Sequence, residues 1–106
     1  MDSGIQTSLT GLQANQLRAD VAANNIANVS TPGFQPSRTV DTELDGGGVS
    51  ARIVTPLDPS ATPEVSGTDV ATEMVSTLVA QRGFEANVKA LRVSDRMQQQ
   101  AIALLS

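Results

Sequence analysis

The chain has 106 residues, with seven basic against eleven acidic side chains, a net charge of −4, and neither cysteine nor histidine. Those figures make one domain the expectation, exclude disulfides, thiolate nucleophiles and Cys/His metal sites, and remove the commonest general base. An acidic chain also lacks the basic footprint that non-specific nucleic-acid binding needs.

Proline divides the sequence into zones. Residues 3–29 contain none, residues 30–67 hold all five, and residues 68–105 again contain none. This predicts an N-terminal helix within 1–29, an irregular, extended or short β-containing segment over 30–67, and a C-terminal helix over 68–106. Phe34 and Phe84 are the only aromatic residues, so the apolar stock is mostly aliphatic, which suits closely spaced helices. The fold class expected is mainly α, with two long terminal helices forming a coiled-coil hairpin around a Pro/Gly-rich middle.

The first helix carries a start signal, because Ser3 and Gln6 have capping-box spacing. Ile5, Leu12, Ala19 and Ile26 then recur every seven residues, and Leu9 and Ala23 extend that face. This is a heptad seam suited to close helix packing. Leu17 and Val21 point elsewhere and predict a second contact surface. Ser30-Thr31-Pro32-Gly33 should stop the helix near Val29, since the residue before proline avoids the α region. No internal repeat is evident.

The middle holds two β-prone pieces, Arg38–Val40 and Val49–Val54, with Gly46-Gly47-Gly48 between them as a hairpin turn. Pro56 to Pro63 reads as an extended linker. The glycines lack the Lys-Ser/Thr that completes a phosphate loop, and Asp41, Glu43 and Asp45 lack the spacing of a calcium loop. A plain turn and a solvated acidic strand are the better readings. No cofactor, metal site, small-molecule ligand or catalysis is expected, because no convergent set of polar groups is present.

The second helix should start between Ser66 and Thr68, with Asp69 and Glu73 at the positive end of its dipole. It has two apolar stripes. One runs through Phe84, Val88, Leu91 and Ile102; the other runs through Val75, Val79, Ala86, Ala90, Val93, Met97 and Leu104. A helix with two stripes meets partners on two sides. The expected packing residues are therefore Ile5, Leu9, Leu12, Ala19 and Ile26 against Phe84, Val88, Leu91 and Ile102.

Asn24-Asn25-Ile26-Ala27-Asn28-Val29-Ser30-Thr31-Pro32-Gly33-Phe34 is the most informative segment. Asparagine is costly inside a helix because its amide competes for the backbone, so these amides are expected to be used or the end to fray. The stretch from Ile5 to Phe34 resembles the N-terminal signature of the flagellar rod and hook family. Asp69–Val75 with Ala80-Gln81-Arg82-Gly83-Phe84-Glu85-Ala86-Asn87 is similar to its C-terminal signature. By motif the chain looks like the longer members; by its short middle it looks like a proximal-rod subunit.

That resemblance implies a structural subunit of the bacterial basal-body rod, not an enzyme. Its partners would be copies of itself, other rod and hook proteins and the flagellar export apparatus, and its place the periplasm-spanning rod. Export would need no cleaved signal, which agrees with Asp2 and the lack of any basic residue before Arg18. Ile26, Pro32, Gly33 and Phe34 would shape the helix exit, while Gln81, Arg82, Phe84 and Asn87 would sit on the helix-pairing face. The alternative is a generic helical-hairpin adaptor that dimerises into a four-helix bundle without a flagellar role.

Overall fold

The computed structural model describes residues 2–105, with side chains from Gly4 onward. The protein is mainly α. Helix α1 spans Asp2–Ala27, strands β1 and β2 span Arg38–Glu43 and Val49–Val54, and helix α2 spans Val70–Leu105. Ser3 is already helical, and its side chain, hence the Ser3–Gln6 capping pair, lies outside the described residues.

Helix α1 ends in a turn made by its own asparagines. The Asn28 amide nitrogen donates to the Asn24 carbonyl at 2.9 Å, and its side-chain oxygen accepts from the Thr31 hydroxyl at 3.0 Å. Gly33 follows Pro32 with φ 74°, a left-handed conformation that only glycine adopts cheaply. There the chain reverses: Gly33 N–H donates to Val65 O at 3.0 Å, and Gly67 N–H to Phe34 O at 2.8 Å. These two bonds tie the exit of α1 to the approach of α2.

The strands pair antiparallel, with Arg38 opposite Val54 and Glu43 opposite Val49. Three consecutive glycines at φ 88°, 102° and 95° turn the tip, so the strand is longer and more acidic than Arg38–Val40 suggested. The pleat puts Asp41 and Ala51 on the face toward α1, where the Arg18 guanidinium donates to Asp41 at 2.8 Å. Thr10, Ala14, Leu17 and Val21 line the α1 side of this contact, which gives Leu17 and Val21 their second surface within the chain. In the linker, Asp58 accepts from the Ser60 hydroxyl and N–H, which holds its carboxyl below the usual value.

Asp69 caps α2: its carboxylate accepts from Ala71 N–H and the Thr72 hydroxyl, each at 3.1 Å. The helix therefore starts at Val70, slightly later than expected. At ~1.5 Å per residue its 36 residues extend about 54 Å. The two helices lie side by side and antiparallel. Gly4 faces Ser94, Gly11 faces Asn87, Gly83 faces Asn15, and the Thr68 hydroxyl reaches Asn25 O at 2.9 Å. The molecule is a slab of 68 × 24 × 13 Å in which α1 touches both α2 and the hairpin.

Candidate functional site: the helix seam and the open faces

The seam between the helices is small and polar, unlike the apolar heptad expected of it. The buried residues of α1 are Ser8, Ala14, Asn15, Ala22 and Asn25, and those of α2 are Glu73 and Ala80. The reason is glycine. A Cβ on Gly11 would lie 2.6 Å from the Asn87 amide oxygen, and one on Gly83 would lie 2.7 Å from the Asn15 amide. Each asparagine thus occupies the notch left by the glycine of the other helix. Each also donates to the carbonyl of the glycine four residues before it, Asn15 to Gly11 O at 3.0 Å and Asn87 to Gly83 O at 2.8 Å.

This clasp is reciprocal because its sequence is repeated. Gly11-Leu12-Gln13-Ala14-Asn15 and Gly83-Phe84-Glu85-Ala86-Asn87 are the same motif, which corrects the reading that no internal repeat exists. The antiparallel pairing relates the two motifs by a local twofold axis normal to the plane of the two helices. Such an axis keeps each broad face on its own side. Leu12 and Phe84 are counterparts, so the stripe of Ile5, Leu12 and Ala19 and the stripe of Phe84, Val88 and Leu91 share one broad face. They lie beside each other.

That face is open. Leu9 is 45% exposed, Phe84 40% and Ile102 67%, while Ile5, Leu12, Ala19, Ile26, Val88 and Leu91 are half-buried. A groove of about 370 Å³ runs along it, lined in part by Ala19, Ala80 and Phe84. Of the four α2 residues expected on the pairing face, Asn87 enters the seam, whereas Gln81, Arg82 and Phe84 are exposed. Gln81 and Phe84 still border the groove.

The exit turn converges on Asn25, the largest fully buried side chain, at 1% exposure. Its amide nitrogen donates to Ser37 O at 2.8 Å and its amide oxygen accepts from Ser37 N–H at 3.0 Å. With its own carbonyl accepting from Thr68, Asn25 joins α1, the start of the hairpin and the entry to α2. Asn24 and Asn28 serve the turn itself, and Pro32, Gly33 and Phe34 carry the reversal. Sequence reading missed Ser37, Thr68, Arg18 and Asp41 as partners, because no local pattern marks a bond across the fold. Among the described residues no buried side-chain nitrogen or oxygen lacks a partner. No acidic cluster suited to a metal ion occurs among them either. The arrangement offers packing surfaces.

Two family models match the chain. The flagella basal body rod protein model matches residues 5–35, and the flagellar basal body rod FlgEFG protein C-terminal model matches residues 62–104. The flagellar basal-body rod protein FlgC of Borreliella burgdorferi is 31% identical over 97% of this chain and 96% of its own. That alignment runs to 146 positions, so the relative carries residues this chain lacks. The flagellar hook protein FlgE of the same organism is 31% identical over 85% of the chain, which spans only 21% of that protein. The rod protein FlgG of Buchnera aphidicola subsp. Schizaphis graminum is 54% identical over 37 residues, 35% of the chain and 14% of that protein.

Proposed function

The chain belongs to the family of flagellar basal-body rod proteins, and from that premise we propose that it is a structural subunit of the rod. It assembles through its helices with copies of itself and with other rod or hook proteins, and it performs no catalysis. One observation carries the reading: a helix pair whose own seam is satisfied by glycine and asparagine leaves apolar side chains such as Leu9, Phe84 and Ile102 exposed on a broad face. An apolar face of this kind is stabilised by a neighbour, at roughly 25 cal/mol per Å² removed from water.

In this reading the helix pair, residues 1–29 with 68–106, forms the inner, coiled-coil part of the assembly. Residues 30–67 form an outer layer over α1. Bundling with neighbours covers the apolar side chains that the pair leaves exposed. The subunit reaches the periplasm-spanning rod through the flagellar export apparatus without a cleaved signal. The test is to isolate basal bodies from a strain carrying an epitope-tagged copy and to image a deletion strain. The tag is expected in the rod, with incomplete rods in the deletion. Intact rods and normal swimming without the gene, with no tag in basal bodies, would overturn the assignment; a discrete dimer in the cytoplasm would favour an adaptor.

A further inference from the structure

The hairpin tip and α2 present opposite charges that no salt bridge joins among the described residues. Four of the seven basic residues, Arg82, Lys89, Arg92 and Arg96, lie within one stretch of α2, where Glu85 and Asp95 are the only acids. The hairpin ends in Glu43-Leu44-Asp45, followed by three glycines. All four bases and both acids of the tip are exposed. The ion pair found among the described residues is Arg18 with Asp41, so the acid deeper in the hairpin is already taken. The strands pack on α1, and Arg38 and Thr39 at the base of the hairpin border one cavity with Glu73 and Ser76 of α2.

Geometry adds a second argument. The own hairpin sits on α1 at Thr10, Ala14, Leu17 and Val21, with Gly47 and Gly48 against Thr7 and Thr10. The local twofold axis maps this strip onto the α2 strip Val79, Arg82, Ala86, Lys89 and Val93, which Arg96 continues. On α1 the strip is covered; on α2 it is bare, with Val79 and Val93 each 51% exposed. The bare strip combines apolar footing with a row of cations. The tip offers an apolar Leu44 between two carboxylates, and Gly46–Gly48 have no side chains to hold its backbone off a helix.

We propose that the acidic tip of one copy docks on the Lys89–Val93–Arg96 end of this strip on a second copy, with Leu44 settling against Val93. The inference rests on the reading of the chain as a self-associating subunit and names one contact of that assembly. Donor and acceptor are different surfaces, so the contact is head-to-tail and repeats without closing on itself.

The chain has no cysteine, which makes the test clean. Full-length Leu44→Cys and Val93→Cys chains, mixed and oxidised, are expected to give the mixed disulfide dimer in excess over either symmetric one. The yield should fall as salt rises from about 0.05 to about 0.5 M, since the contact is exposed to screening. Reversing the tip with Glu43→Lys and Asp45→Lys should cut the mixed dimer roughly tenfold, because like charges then face each other. Adding Lys89→Glu and Arg96→Glu to the Val93→Cys chain should restore it. All these positions are exposed, and unchanged circular dichroism controls for folding. A statistical mixture of dimers, symmetric dimers in excess, or no rescue by the double reversal overturns the docking. The separate loss of self-association on Phe84→Asp then decides whether the subunit reading stands without it.

Discussion

At the scale of single residues, the helix pair depends on two glycines and three asparagines. Alanine normally improves a helix over glycine by about 1 kcal/mol. At Gly11 and Gly83 the sign should invert, because the added methyl meets an amide that is held by its own hydrogen bond. We expect Gly11→Ala to destabilise the fold by about 1–3 kcal/mol, a cost typical of overpacking. Removing the obstacle with Asn87→Ala should recover part of it. A urea-denaturation double-mutant cycle measures this coupling, and additive effects would show that the notch does not matter. Asn25→Ala is expected to cost more, about 2–4 kcal/mol. It strips both hydrogen bonds from the half-buried Ser37 backbone and empties the place of a side chain that is 1% exposed.

At the scale of elements, helix positions and the hairpin were legible because proline, glycine and apolar period are local signals. The Pro-free zones became α1 and α2, and the glycine triplet became the turn. The pairing of faces was not legible. Ile5, Leu12, Ala19 and Ile26 have the period of a seam, yet Ser8, Gly11, Asn15 and Ala22 hold it, because a polar notch lets backbones approach where leucine would hold them apart. Hydrophobicity alone ranks glycine and asparagine last for such a place; only the repeated Gly-x-x-Ala-Asn motif signalled it. The hairpin is fixed to α1 by a small apolar contact and one half-exposed ion pair worth ~0–1 kcal/mol, less in salt. Leu17→Ala should therefore loosen the hairpin selectively. Hydrogen exchange is expected to quicken at Val40–Thr42 and Val49–Ile53 while the middle of α2 keeps its protection. Uniform loss of protection would mean that hairpin and helices unfold as one unit.

At the scale of the whole molecule, the slab separates what folds the subunit from what it offers to others. Its seam is polar and internally satisfied, while one of its two exposed apolar stripes, that of Phe84, stands on a broad face beside a groove. That division predicts a substitution that spares the fold and removes assembly. In Phe84→Asp the carboxylate can stay hydrated in the free subunit, because the position is 40% exposed and outside the clasp. Helicity and the urea midpoint should change little, within about 1 kcal/mol for a partly exposed site away from buried networks. In an assembly the same carboxylate is enclosed by a neighbour's apolar surface without a partner, at a cost of several kcal/mol. A deficit of that size at every repeat outweighs the gain from a single interface. The expected outcome is a folded, monomeric protein by sedimentation velocity, and cells that make the subunit yet build incomplete rods and do not swim. A strain that swims normally with Phe84→Asp would show that this face is turned to solvent in the rod. The surface that binds the neighbour would then have to be the other side of the slab.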